Sequence, residues 1–168
     1  MFFYDPKGIK LYRHDLWLDA HRKTTYSFVS HGHADHLKNH DKILATPATA
    51  AFHALRARQK QVIELEFGQR YELDDVTIEL FPAGHVLGSA MIRVEVNGVS
   101  LLYTGDFKVK PSLTARQIEI PKADILIMES TFGSPEYVYD HPEGHLEQEL
   151  YGFINDCFKI GVTPIVMG

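Results

Sequence analysis

The sequence predicts an α/β protein of the α+β kind, a mainly antiparallel or mixed β-sheet with flanking helices. Three observations carry that expectation. Nine short runs rich in β-branched and aromatic residues dominate the chain, only two segments have helical spacing, and an Asn-Gly pair joins two of the β runs as a hairpin would. With 168 residues, 45% apolar, 23% charged and 11% aromatic, the composition is that of one soluble globular domain, 1–168. Disorder, collagen and coiled coil are excluded.

In chain order the β runs fall at residues 9–12, 16–19, 25–30, 43–46, 62–65, 76–81, 90–96, 99–104 and 125–128. Pro47 opens a helix expected over 48–58. Asn97 and Gly98 both tolerate the positive φ of a two-residue turn, so the runs on either side should pair antiparallel. A second helix is expected over 144–160, where Leu146, Leu150, Phe153, Ile154, Cys157 and Phe158 share one face, which should look into a core. After Gly161 comes a last apolar run, 162–167, broken by Pro164. A strand directly after an amphipathic helix normally continues a β-α-β rhythm, so the chain reads as part of a larger domain.

No apolar run approaches the ~20 residues a bilayer-spanning helix needs, and the start MFFYDPKG lacks a secretory pattern. The expected location is cytoplasmic, with no membrane partner. Cys157 is the only cysteine, which excludes a disulfide framework. The net charge of −5 is unevenly spread: residues 1–60 carry +5 and seven of the ten histidines, residues 61–168 carry −10. Solvated faces of one domain account for such a bias; a basic surface beside the histidines, accepting a polyanion, is the sharper alternative.

Ten histidines exceed the about four that average composition would supply. After the run 25–30 comes Ser30-His31-Gly32-His33-Ala34-Asp35-His36-Leu37, with four metal-competent side chains at a strand end. His31 and His33 can reach one cation, while Asp35 and His36, nearer the helix expected to follow, can turn toward a second. Imidazole with carboxylate and no thiolate favours zinc, with manganese the other choice. His85 lies in the Gly-rich stretch Pro82-Ala83-Gly84-His85-Val86-Leu87-Gly88-Ser89, a setting that suits a ligand. Asp106, in Tyr103-Thr104-Gly105-Asp106-Phe107, directly follows an apolar strand and is the carboxylate to bridge two cations.

These residues resemble the metallo-β-lactamase-fold hydrolases. His31-x-His33-x-Asp35-His36 looks like their signature, Asp19 in Leu16-Trp17-Leu18-Asp19 like their first acidic motif, and His85 and Asp106 like their third and fourth motifs. The segments 83–90 and Glu129-Ser130-Thr131-Phe132-Gly133 resemble the β-CASP branch, nucleases that process RNA 3′ ends and process or repair DNA. The resemblance implies that His31, His33 and His85 hold one metal, Asp35 and His36 the second, with Asp106 between them. It implies Asp19 as the residue orienting a ligand, Asp35 as the acceptor of a hydrogen bond from a shared water, and Glu129 as an aid to protonating the leaving group. The implied fold is a four-layer αββα sandwich of two similar halves, with the β-CASP insert and one more histidine ligand in the second half. Neither is found in these residues. The expectation is therefore a first half-domain with an incomplete second metal site and an apolar sheet that self-association or a partner chain would cover.

The implied activity is phosphodiester hydrolysis of RNA or DNA by two-metal activation of water. Two alternatives remain: hydrolysis of a small ester, thioester or lactam by the same chemistry, and a catalytically weak fragment serving as an interaction half-domain. His141 and His145, in an acidic segment, read as solvated surface. Lys108, Lys110, Arg22 and Lys23 are candidates by position for contacting a polyanion.

Overall fold

The computed structural model describes residues 1–57, 61–138, 142 and 144–166. The chain divides into a unit of Met1–Glu129 and a unit of Ser130–Gly168.

The first unit holds two sheets. In one, β1 (Phe2–Asp5), β2 (Gly8–Leu11), β3 (Trp17–Leu18), β4 (Tyr26–Phe28), β5 (Lys42–Ala45) and β6 (Gln61–Glu64) lie side by side in chain order. The first three are antiparallel and β3 to β6 are parallel. In the other, β7 (Arg70–Leu73), β8 (Val76–Pro82), β9 (Ala90–Val96) and β10 (Val99–Tyr103) form an antiparallel meander, and β11 (Ile125–Ile127) joins β10 in parallel. Both sheets are thus mixed. The hairpin between β9 and β10 turns at Asn97 and Gly98, with φ of 51° and 76°, and pairs Val96 with Val99.

Alternation along β8 sets the packing. Val76, Ile78 and Leu80 are buried while Thr77, Glu79 and Phe81 are half-buried, the period of two that a pleated strand imposes. The buried set meets Ile92 and Leu101 of its own sheet and Leu18, Phe28 and Leu44 of the other in one core. The sheets therefore face each other. Cutting fully buried Phe28 back to alanine would cost about 3–5 kcal/mol.

On the outer face of the first sheet, α1 (Pro47–Arg56) rests through Ala50 on Val29, Ile43 and Ala45. Its start is local chemistry: the Thr46 hydroxyl accepts the Thr49 N–H at 3.3 Å, and Pro47 occupies a position that needs no donor. Arg58, the expected last residue of this helix, lies outside the described residues. The outer face of the second sheet is covered at Ala83, Met91 and Leu102 by Phe107 and Ile118.

The second unit contains α2 (His145–Lys159) after a short 3-10 turn at Pro135–Tyr137. The expected core-facing role is corrected here: no residue of α2 is buried, and Leu146, Phe153 and Phe158 are each more than half exposed. Among the described residues of its own unit there is no second layer against which the apolar stripe of this helix could be buried. Residues 162–166 form no strand, and Met167 lies outside the described residues. Among the described residues no helix is long and apolar enough to cross a membrane.

Direction is what positions the site. Strands β3 and β4 run parallel, so Asp19 and Ser30-His31 leave the first sheet at the same edge. Strands β8, β10 and β11 share one direction in the second sheet, so His85, Asp106 and Glu129 leave it together. The Ala90 N–H donates to the Ser30 carbonyl at 2.9 Å and ties the two edges to each other.

Candidate metal centre

The loop after β4 begins in the core and ends in it. Val29 N–H continues the sheet by donating to Leu44, and His31 is fully buried. The N–H groups of His36 and Leu37 both donate to the His33 carbonyl, which turns the chain, and Leu37 then drops into the cluster of Val29, Ile43, Ala45 and Ala50. The helix expected after this loop is absent. His40 instead accepts the Thr24 N–H at 3.2 Å, and the Asp41 N–H donates to the Thr24 carbonyl, drawing the chain straight into β5.

Three imidazoles and a carboxylate converge. His33 Nδ1 lies 3.0 Å from His31 Nε2 and 3.2 Å from His85 Nε2, while Asp106 Oδ2 lies 3.7 and 3.8 Å from the same two nitrogens. One ligand atom from each of the four falls within 4.8 Å of all the others. One ring nitrogen approached closely by two others is the arrangement that imidazole lone pairs take around a shared cation. Bonds of 2.0–2.1 Å in a tetrahedron give ligand edges of about 3.3 Å, close to these separations. The donor set therefore fits a zinc-like ion. Asp106 Oδ1 faces the other way, 3.8 Å from His36 Nε2, which is itself 3.5 Å from Asp35 Oδ2. The carboxylate thus links the three imidazoles to a second group made of Asp35 and His36.

Asp19 apart, the support of these side chains was not read from sequence. Buried Asp19 accepts the Ser30 N–H at 2.8 Å, the Tyr103 hydroxyl at 3.0 Å and His36 Nδ1 at 3.0 Å. With Nδ1 donating, His36 Nε2 keeps its lone pair toward Asp106. The Ser30 hydroxyl meets His31 Nδ1 at 2.9 Å and leaves His31 Nε2 to the cluster. The only sequence signal for Tyr103 was its place at the start of the stretch that leads to Asp106. The His85 loop is braced in turn: the Ser89 hydroxyl accepts the N–H groups of His85 and Val86, and the Thr46 and Thr49 hydroxyls donate to the Gly88 carbonyl at 2.7 and 3.0 Å. Gly84 has φ of 76°, and a Cβ there would collide with the Lys108 carbonyl oxygen, so the loop cannot carry a side chain at that point.

Burial sets the charge states. It pushes His31 down to about 3, helped by the charge of His36, so His31 is neutral at neutral pH. Burial also lowers His85, partly offset by Asp106. In His36 burial is outweighed by the hydrogen bond and charge of Asp19, and its affinity for a proton rises. Burial alone would raise Asp19, but the His36 bond and charge and the Ser30 bonds hold it below the usual carboxylate range.

Of the other expected residues, Glu129 is half-buried, donates its N–H to the Thr104 hydroxyl at 3.4 Å and lies near enough for its charge to raise His85. It is not a member of the four-donor cluster. Asp35 is 77% exposed at its side chain. His145 Nε2 meets Glu149 at 3.3 Å on its own helix, and His141 lies outside the described residues. Lys23 pairs with Asp41 at 3.0 Å, at the start of β5 and so at the strand end away from this site.

A domain family described as the beta-lactamase superfamily domain matches residues 16–155. A protein of Opitutus terrae named "Probable DNA ligase" is 39% identical over 165 residues, which is 96% of this chain and 16% of that protein. The Endoribonuclease YSH1 of Yarrowia lipolytica is 36% identical over 64% of this chain and 13% of its own length. The DNA cross-link repair 1A protein of Mus musculus is 28% identical over 80% of this chain and 14% of its own length. The chain thus spans less than a fifth of each of these relatives.

Proposed function

We propose, from the premise that this chain belongs to the beta-lactamase superfamily, that it is a metal-dependent phosphodiesterase of the β-CASP type that cuts nucleic acid. The observation that carries the reading is Asp106, whose two oxygens face the imidazole cluster on one side and His36 on the other. His31, His33 and His85 would hold one divalent cation, Asp35 and His36 a second, with Asp106 shared. Zinc or manganese ions there would supply a water acidified toward neutrality and a counter-charge for the non-bridging oxygens of the phosphodiester. The chain's own groups do the rest. Neutral His31 and His85 offer lone pairs without first losing a proton. Asp19 fixes the ring of His36. Asp35, at the exposed front of the loop, accepts a hydrogen bond from the attacking water, and Glu129 helps the leaving oxygen take a proton.

Nucleic acid as substrate is supported by the relatives named as an endoribonuclease and a DNA cross-link repair protein. DNA is favoured over RNA because the relative matched along nearly the whole chain bears the name of a DNA ligase. The test is cleavage of matched single-stranded DNA, duplex DNA and RNA, beside a chromogenic lactam and a thioester, with zinc or manganese restored to metal-stripped protein. Metal-dependent cleavage of DNA, abolished in Asp106→Ala, is expected. Turnover of the lactam or thioester with no polymer cut would overturn the reading.

A further inference from the structure

We infer that the loop of residues 107–118 is a nucleic-acid contact in which Lys108 grips a backbone phosphate beside the metal cluster. The inference rests on the proposed phosphodiesterase reading and says where the polymer lies.

Both feet of the loop are tied to the segment that leads into His85. The Lys108 N–H donates to the Ala83 carbonyl at 2.9 Å, and the Glu119 N–H donates to the Pro82 carbonyl at 3.1 Å. The bare Cα of Gly84 makes room for the Lys108 carbonyl. Phe107 and Ile118 anchor the feet in the outer apolar cluster with Ala83, Met91 and Leu102. Between the feet the loop stands in solvent, with Val109 61% exposed and Leu113 fully so. Lys108 is therefore held two residues after Asp106 and against the loop that presents His85.

Charge gives this placement its meaning. Residues 61–168 carry −10, yet 107–118 hold Lys108, Lys110 and Arg116 with no carboxylate, three of the seven basic residues in that whole stretch. Several other cations are committed elsewhere, among them Arg93 to Glu95, Lys23 to Asp41, Lys38 to the Ala34 carbonyl, and Arg116 to Glu119 and the face of Phe67. Lys108 is exposed and, among the described residues, has no carboxylate partner within salt-bridge distance. The site itself is lined by Asp35, Asp106 and Glu129, which repel a polyanion. A cation on a backbone fixed two residues after Asp106 offsets that repulsion for the phosphate next to the one being cut.

The test is binding of a fluorescent single-stranded DNA oligonucleotide, followed by anisotropy in calcium over a series of salt concentrations. Lys108→Ala should weaken binding roughly three- to tenfold and lower the slope of log Kd against log salt by about one; Lys108→Arg should restore both. Lys122→Ala, which removes a cation before β11 at the opposite strand end, should change neither. If wild-type protein binds and Lys108→Ala matches it in affinity and slope, or Lys122→Ala loses as much, the loop assignment is wrong while the phosphodiesterase reading stands. If wild-type protein neither binds nor cuts any polymer, both fall.

Discussion

The four-donor cluster and the Asp35–His36 group meet at the loop after β4 and share Asp106, yet they are built differently. The cluster draws three imidazoles from two braced loops, and burial keeps His31 and His85 neutral and ready to bind. The other group has two donors of its own, one on an exposed carboxylate and one on a histidine whose proton is held more tightly than usual. A metal entering the first meets imidazoles that give up a proton readily, whereas one entering the second competes with a proton held more tightly than usual and must order an exposed carboxylate. The difference teaches that adjacent ligands in sequence need not make equal sites.

The largest effect should come from removing the shared carboxylate. Asp106→Ala should weaken metal binding at the Asp35–His36 group by roughly 100-fold or more, since even changes one shell further out cost 10–100-fold, and weaken the imidazole cluster less. Elemental analysis after dialysis reads this; equal loss at both positions would break the comparison.

Next is acid. Burial pushes His40 down to about 4, below the 6.5 expected of the unfolded chain, so the stability it contributes is full above pH 6.5 and is lost as pH falls toward 4. Between pH 7 and 5 that loss is about 2 kcal/mol, and it loosens the segment that leaves His36. His40→Asn keeps an acceptor for the Thr24 N–H and removes the titration, so urea denaturation across this range should show a flatter profile. An unchanged profile would separate His40 from the loop's support.

Tyr103→Phe keeps the edge-on ring contact with Phe28 at 6.5 Å and deletes the hydroxyl that donates to Asp19. About a tenfold weakening is expected at the His36 side alone, measured by calorimetric metal titration. The smallest effect is Thr49→Val, which removes one of two bonds to the Gly88 carbonyl. It should cost about 1 kcal/mol in thermal unfolding and touch only the cluster that includes His85.

The convergence of candidate ligands was legible because strand-end spacing is local: His31 to His36 lie within one loop, and Asp106 stands shortly after β10. The Asn97-Gly98 hairpin was legible for the same reason. What escaped depends on distant contacts. Tyr103 meets Asp19 across 84 residues and Thr46 meets Gly88 across 42, separations no pattern of polar residues encodes. Strand β7, with Arg70 and Glu72 among its four residues, and β1, with its three aromatic residues all exposed, are edge strands that owe their form to one neighbour. The stripe on α2 had the right spacing, and its burial was a tertiary matter that spacing alone does not decide.

The central claim is that Asp106 joins two unequal metal sites, and titration of metal-stripped protein with zinc or manganese at neutral pH tests it most directly. The account predicts two ions per chain with affinities at least about tenfold apart, the tighter one surviving His36→Ala and the weaker one lost. A single ion per chain, or loss of the tighter ion in His36→Ala while His31, His33 and His85 remain, would contradict it.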